Sequence, residues 1–184
     1  METDLHRLSL DEYHRLIESG GFDEDARIEL IDGLLLDMSP KTAEHENAIA
    51  WLNRRLMFGV DLERYEVRVA SALTTERSEP EPDVMVIDRE APRPYHPGSA
   101  ALMIEVAVSS QRRDLRVKPR IYARAGIPLY WVIDLDKRRA IVHEEPGPER
   151  YGRVEIVGAD GVLVADHLEL LPISIADLLA AAGV

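Results

Sequence analysis

A single carboxylate interrupts an otherwise apolar stretch in the middle of the chain. Residues 101–108 read Ala-Leu-Met-Ile-Glu-Val-Ala-Val, so Glu105 is the one charged side chain in that stretch. Continuous apolar runs are typical of strands that are buried on both faces of a sheet. An ionised carboxylate in such a strand is costly unless a cation or hydrogen-bond donors compensate its charge. Two interpretations stay open: a structural salt bridge or a half-exposed strand on one side, and a functional acid on the other.

A second acid stands at the start of an earlier apolar run. Asp83 directly precedes residues 84–87, Val-Met-Val-Ile. Taken alone, an aspartate in this position is most often a turn or cap residue. If the two runs pair as a hairpin with Ile87 opposite Ala101, then Asp83 lies opposite Glu105. Directly opposed residues have Cβ atoms about 4.5–5.5 Å apart on the same face of a sheet.

Two carboxylates at that separation repel each other, and they require a proton or a cation between them. A divalent metal ion meets this requirement at neutral pH. Oxygen ligands from few protein carboxylates, with coordination positions left open, suit Mg²⁺ or Mn²⁺. The pair therefore predicts a metal centre.

A lysine is the third candidate for this chemistry. In the segment DLRVKPRIYARAG, the spacing places Lys118 on the inward stripe of a helix with Leu115, Tyr122 and Ala125. Pro119 predicts that this helix starts late or kinks beside the lysine. An inward lysine often extends its ammonium back to solvent, and the alternative is an ammonium that serves the two acids. The outward stripe consists of four arginines, Arg113, Arg116, Arg120 and Arg124.

The elements that must position these residues are interleaved helices and short strands. Asp32-Gly33 predicts a tight hairpin turn within residues 27–38. Ser9 with Glu12 reads as a capping box, and Ser174 as the cap of the last helix. Helices are expected at residues 10–19, 42–57 and 175–182 and in the basic segment, and strands at 65–73, 84–87, 101–108, 129–134, 140–143 and 154–157.

The order of these elements indicates the fold class. Three consecutive strands in the middle of the chain favour an α/β (α+β) fold with a mixed central β-sheet flanked by helices, not a doubly wound parallel sheet. No segment is long enough to act as a linker between domains, so residues 1–184 are expected to form a single domain.

Several motifs together resemble the Uma-two family of restriction-endonuclease-like proteins, which belongs to the PD-(D/E)XK nuclease superfamily. The resemblance extends from Arg27 to the last helix. It rests on the order and spacing of Glu-Leu-Ile-Asp-Gly (29–33), Met-Ser-Pro (38–40), His45, Pro-Asp (82–83), Glu-Val (105–106), Asp114 with Lys118, and Tyr-Ala-Arg-Ala-Gly-Ile-Pro-Leu-Tyr-Trp-Val-Ile-Asp (122–134).

The resemblance implies a restriction-endonuclease-like fold and a Mg²⁺ or Mn²⁺ site for phosphodiester hydrolysis. The superfamily lysine normally stands two residues after the second acid, where this chain has Ala107, and the resemblance implies that Lys118 replaces it. The implied catalytic residues are Asp83, Glu105, Lys118, Glu29 and His45. The implied metal ligands are Asp83, Glu105, the carbonyl of Val106 and Glu29, with Glu29 alternatively a base. A histidine on the surface of its helix is the competing interpretation for His45.

Composition limits the alternatives. The chain has 184 residues, no cysteine and a net charge of −12, so disulfides, thiolate nucleophiles and sulfur-bound zinc are excluded. No apolar run reaches the roughly 18 residues of a membrane span, and the polar N-terminus does not resemble a secretory signal. A cytoplasmic protein that does not span a membrane is therefore expected.

The distribution of charge bears on the partner. Residues 105–139 contain nine Lys or Arg and four Asp or Glu, a local net charge of +5 within an acidic chain. If these cations border the cleft, they give a phosphate backbone a place to dock, and the alternative is a solvated arginine face. The expected partners are nucleic acid, with DNA favoured, and a second copy in a homodimer, as in other superfamily members.

Two rival functions are a non-catalytic nuclease-fold binding or regulatory module, and a structural module in which Glu105 and Lys118 form a buried ion pair.

Overall fold

A mixed six-stranded sheet forms the centre of the computed structural model, which describes residues 5–23, 25–108 and 114–184. The helices are α1 (Leu10–Glu18), α2 (Ala43–Gly59), α3 (Asp114–Arg124) and α4 (Ile175–Ala182). The strands are β1 (Ile28–Ile31), β2 (Leu34–Asp37), β3 (Tyr65–Val69), β4 (Val84–Asp88), β5 (Leu102–Ala107), β6 (Leu129–Asp134), β7 (Arg139–Pro146), β8 (Tyr151–Val157), β9 (Val162–Ala165) and β10 (Leu170–Ser174).

The central sheet has the order β3-β4-β5-β6-β7-β8. Strands β5 and β6 run parallel, joined by the segment that carries α3, and the other neighbours in the sheet are antiparallel. Flanking helices on this mixed sheet confirm the predicted fold class. The pairs β1–β2 and β9–β10 form two small separate sheets.

The register of β4 and β5 is the predicted one. Val84 lies opposite Ile104, and Val86 lies opposite Leu102. The same register, continued by one residue, sets Asp83 against Glu105 at the end of the strand pair. The site is therefore built where β4 begins.

The hydrophobic core has two layers, one on each face of the sheet. One face packs against α2 and α4, through residues such as Leu52 and Leu178. The other packs against α3, through Ile121 and Tyr122. Asp83 and Glu105 follow the side-chain alternation of Met85 and Met103, which belong to the layer on the α3 side.

The first turn of α2 carries a polar residue into the core. Thr42 caps this helix by accepting a hydrogen bond from the His45 amide. The buried stripe of α2 then recurs every three or four residues, and it begins with His45. This stripe consists of His45, Ala48, Ile49, Leu52 and Leu56. The histidine therefore faces the sheet and not solvent.

The β1–β2 hairpin turns at the predicted dipeptide. Asp32 and Gly33 have φ values of 47° and 79°, as the favoured two-residue hairpin turn requires. The hairpin is held beside the rest of the chain by a bridge between Leu30 and Glu79. This bridge fixes the neighbouring Glu29 next to the central sheet.

Two boundaries differ from expectation for backbone reasons. Strand β3 ends at Val69 and does not extend to Leu73, because Ala70 has a φ of 45° that breaks the extended chain. Helix α3 already begins at Asp114, so Pro119 lies within it and Lys118 falls in its second turn.

Among the described residues, no helix combines the length and the apolar character needed to cross a bilayer.

Candidate active site

A small cleft, open to solvent, lies where β4 begins. It collects side chains from α2, α3, the β1–β2 hairpin and the central sheet. Its lining residues are Arg27, Glu29, Met38, Ser39, Lys41, His45, Glu81, Asp83, Glu105, Val106 and Lys118. Acidic and basic groups thus share one small space, which indicates a site that binds charged ligands.

Asp83 is held by one of its two carboxylate oxygens. Asp83 Oδ2 accepts a hydrogen bond from the Val106 amide at 2.8 Å and lies 3.1 Å from Nε2 of His45. No donor among the described residues bonds to Oδ1. The histidine is only 2% exposed, so its ring is fixed by the core that surrounds it. This arrangement orients the aspartate and leaves one oxygen for a ligand.

Glu105 shows the same division between its two oxygens. Glu105 Oε1 accepts hydrogen bonds from Lys118 Nζ at 3.0 Å and from the Tyr122 hydroxyl at 2.9 Å. Oε2 receives no hydrogen bond within the described part of the chain. Burial raises the pKa of Glu105 to about 8, and nearby Asp83 and Glu29 add to this effect while Lys118 opposes it. A further cation near Glu105 would therefore favour the ionised form of this carboxyl.

Lys118 bridges two acids from different parts of the chain. Its Nζ lies 3.1 Å from Glu29 Oε2, in addition to its bond with Glu105. Burial acts to lower the pKa of Lys118, but the carboxylates of Glu105 and Glu29 outweigh it, so the pKa is raised and the ammonium stays charged. The buried ammonium is only 6% exposed as a residue, so it does not extend to solvent.

Glu29 reaches the cluster from β1. Its Oε2 accepts a hydrogen bond from the Glu81 amide at 3.3 Å and meets Lys118, which leaves Oε1 without a donor among the described residues. Glu29 and Glu105 thus contact one ammonium, and Asp83 adds a third acidic group near Glu105. This excess of acid favours a further cation.

The donor set fits a hydrated Mg²⁺ or Mn²⁺ better than a metal enclosed by protein. In the described ranges, no three or more Asp, Glu or His side chains are arranged to hold a metal ion together. The free oxygens of Asp83 and Glu105 offer two ligands at the open cleft. Mg²⁺ usually keeps several waters and takes one or two carboxylates from the protein. The residues present therefore fit this ion.

The structure brings together all five residues for which the sequence analysis expects a catalytic role. His45 is buried beside Asp83 and is not on the helix surface. The main chain of Val106 also reaches the site, although it does so through its amide. The roles of these residues, and of the Val106 carbonyl as a ligand, stay predictions.

Sequence reasoning missed four residues of the site. Tyr122 lies one turn after Lys118 on the same helix face, and its hydroxyl also bonds to Glu105. The spacing of four residues could have predicted this shared partner. Glu81 precedes Asp83 by two residues and contributes its amide. Arg27 and Lys41 line the cleft from the ends of the first hairpin and carry no motif that could have identified them.

The basic segment contributes less to the cleft than its composition indicates. Arg120 lies 3.5 Å from Glu149, and Arg124 lies 3.8 Å from Asp32, so both have acidic neighbours. Lys118 is the one cation of this segment among the residues that line the cleft. Arg113 lies outside the described residues. The other cations of the cleft lining are Arg27 and Lys41, which precede the segment.

Comparison with known proteins places this chain in a family. The family model Uma2, described as "Putative restriction endonuclease", matches residues 10–176. The crystal structure of "a putative nuclease belonging to DUF820 from Anabaena variabilis ATCC 29413" is similar, with a TM-score of 0.78 and 17% identity over 95% of this chain and 99% of that one. No curated protein matches the sequence. The fold is thus that of a nuclease-like protein, and the chain belongs to the Uma2 family of restriction-endonuclease-like proteins.

Proposed function

We propose that this chain is a metal-dependent nuclease that hydrolyses phosphodiester bonds of nucleic acid, with DNA as the favoured substrate. One observation carries the proposal. Asp83 and Glu105 each use one oxygen for protein donors and keep the other without a donor among the described residues, at the same open cleft. Family membership supports the reaction class.

Asp83 and Glu105 would hold a divalent cation, with the Val106 carbonyl as a further candidate ligand. Glu29 would contribute as a base or through its contact with Lys118, because the three acids are not arranged around one ion among the described residues. When bound, such an ion lowers the pKa of a coordinated water and offsets the charge of the phosphate. His45 keeps Asp83 in position through its bond to Oδ2. These contacts hold the two acids in place before any ligand arrives, which reduces the reorganisation required during reaction.

Lys118 supplies the fixed positive charge of the proposed site. Its ammonium has three protons, and two of them are directed to Glu105 and Glu29. The remaining proton is available to a water or to a phosphate oxygen in the cleft. The lysine would thus help to position the attacking water or to stabilise charge that develops on the phosphoryl group.

Arg27 and Lys41 are the candidates for contacts with the phosphate backbone. Both line the cleft, and Arg27 is exposed while its guanidinium bonds to the carbonyl oxygen of Ser39 at 3.2 Å. On a chain of net charge −12, docking that depends on few cations is expected to weaken steeply with salt.

A cleavage assay tests this proposal. The purified protein is incubated with single-stranded, double-stranded and branched DNA and with RNA, in Mg²⁺, Mn²⁺ or a chelator. We expect cleavage that requires the metal and that falls at least about 100-fold in Asp83→Asn and in Glu105→Gln. The matched control is Glu63→Gln, an exposed acid outside the cleft lining, which should cleave like the unchanged protein. Cleavage that survives both changes at the site would refute the assignment.

A second candidate is a nuclease-fold module that binds or regulates without cutting. The bridge from Lys118 to Glu105 and Glu29 favours it, because an ammonium already compensates part of the acidic charge. Thermal unfolding separates the candidates. Stabilisation that grows with Mn²⁺ concentration indicates a metal-binding site, whereas an unchanged melting temperature favours the module without metal chemistry.

A further inference from the structure

The last strand of the central sheet is an open edge. β8 pairs with β7, and no other strand among the described residues lies against it. Residues 152–156 are all exposed, and they include two aliphatic side chains, Val154 at 55% and Ile156 at 60% exposure. A long exposed edge with apolar side chains is a ready template for pairing with another strand.

The opposite edge of the sheet is protected. β3 has five residues, and all except Val69 are at least partly buried. Glu66 of this strand already binds Arg68 and Arg93, with distances of 2.7 Å and 3.2 Å. Charged side chains and a covering loop are usual means of blocking an edge strand. Between the two edges, β8 is therefore the one open to a partner.

We propose that β8 pairs with β8 of a second copy of this chain, antiparallel and centred on Val154. This register sets Arg153 opposite Glu155 of the second copy, twice by symmetry. A register centred on Glu155 would place two glutamates opposite each other, and one centred on Arg153 would place two arginines opposite each other. Opposite charges across a strand pair stabilise it and like charges destabilise it, so among these three registers the charges favour the one centred on Val154.

The same register also accommodates the remaining side chains. Arg153 already binds Glu144 across β7, so Glu144, Arg153 and Glu155 of the second copy form a row of alternating charge. Ile156 lies opposite Gly152 of the second copy, so no side chain opposes it across the pair. Two six-stranded sheets then continue into one another across the two-fold axis.

A disulfide scan tests the register directly, because the natural chain has no cysteine. In Val154→Cys, the introduced thiol meets its own symmetry mate, and mild oxidation with oxidised glutathione should link most of the protein into covalent dimers. The matched control is Val162→Cys, which is similarly exposed at 51% on β9. It should stay largely monomeric on a denaturing gel. Equal linking of both variants, or none in Val154→Cys, would overturn the proposed pairing.

A charge exchange, followed by light scattering, tests the interface without cysteines. Glu155→Arg alone opposes two arginines across the pair, so it should shift the protein from dimer to monomer, whereas the exposed control Glu63→Arg should stay dimeric. Arg153→Glu should also be monomeric. A mixture of Glu155→Arg with Arg153→Glu restores both opposite-charge pairs, and mixed dimers should reappear. Unchanged protein that is monomeric at 200 µM, or dimers that survive Glu155→Arg unaltered, would refute the proposal.

Discussion

Lys118 Nζ donates a hydrogen bond to Glu105 Oε1 at 3.0 Å, from a helix that follows the strand carrying the acid. The position two residues after Glu105 is occupied by Ala107, which is buried in the core. The cation of this cluster is therefore supplied by α3, and the same ammonium contacts Glu29 on β1. Three segments that are distant in sequence are joined through one buried charge.

Removal of this ammonium is expected to destabilise the protein strongly. Lys118→Met keeps the shape of the side chain but leaves Glu29 and Glu105 without their cation, and breaking a buried ion pair costs about 3–5 kcal/mol. Urea denaturation at pH 7 measures the loss. The control is Arg116→Met, an exposed change on the same helix, which should alter stability by less than about 0.5 kcal/mol. If Lys118→Met lowered the free energy of unfolding no more than the control does, Lys118 would not compensate the charges of Glu29 and Glu105.

The raised pKa of Glu105 predicts how stability depends on pH without metal. The carboxyl has a pKa of about 8 in the folded protein and an ordinary value of about 4.3 when unfolded. Between these values the folded state binds more protons, so the free energy of unfolding should fall as pH rises from about 4.5 to 8, by at most about 1.4 kcal/mol per pH unit.

Glu105→Gln removes the carboxyl group that binds this additional proton in the folded state. In a chelating buffer, its unfolding free energy should therefore depend less on pH between 5 and 8 than that of the unchanged protein, and it should be the more stable of the two at pH 8. Melting temperatures across this range provide the comparison. Parallel pH profiles for the two proteins would show that Glu105 is not the titrating group.

Tyr122 is expected to adjust the acidity of Glu105. Burial raises the pKa of the Tyr122 hydroxyl well above its usual value, so it remains a donor to Glu105 Oε1. Without this bond the ionised form of Glu105 is less favoured. In Tyr122→Phe, the affinity for Mn²⁺ at pH 7 should fall about 3- to 10-fold, since a lost hydrogen bond is worth about 1 kcal/mol.

A second tyrosine provides the control for this change. Tyr151→Phe also removes a hydroxyl from the core, one that donates to the Ile127 carbonyl at 3.0 Å and lies outside the cleft lining. It should lower stability to a similar degree while leaving Mn²⁺ affinity unchanged. Equal affinity losses in both variants would indicate a general structural effect and not a role for Tyr122 at the site.

His45 is expected to act by holding Asp83. In His45→Ala, the Asp83 carboxylate loses one of its two donors, and outer contacts of this kind are worth about 10- to 100-fold in metal affinity. His45→Gln retains an N–H donor and should recover part of the affinity. Calorimetric titration with Mn²⁺ measures both variants. Undiminished Mn²⁺ affinity in His45→Ala would show that His45 does not hold Asp83 in place for metal binding.

The sequence predicted the geometry of the central pair more completely than that of its surroundings. The β4–β5 register follows from alternation and from one apolar run, so the sequence could predict that Asp83 lies opposite Glu105. The inward position of Lys118 follows from helical spacing, and a role for Glu29 at the site was expected only through the family resemblance. Local patterns suffice where strands and helices fix the direction of a side chain.

The sequence could not predict contacts that depend on how distant segments pack together. Arg27 and Lys41 reach the cleft because the first hairpin folds beside the sheet, and nothing in their immediate sequence indicates this. The pairing of Arg120 with Glu149 likewise joins α3 to a loop beyond β7, so counting charges along the chain overstated the free positive charge. One of the two alternatives for Pro119, a late start of α3, was also wrong, because α3 begins early enough to include this proline.

Binding of Mn²⁺, measured by titration calorimetry at pH 8, tests the central claim most directly. If the free oxygens of Asp83 and Glu105 hold a divalent cation, the unchanged protein binds one Mn²⁺ per chain, Asp83→Asn and Glu105→Gln lose this binding, and Glu63→Gln retains it. A protein that binds no Mn²⁺, or that binds it equally well without either acid, would contradict the assignment of this cleft as a metal-dependent nuclease site.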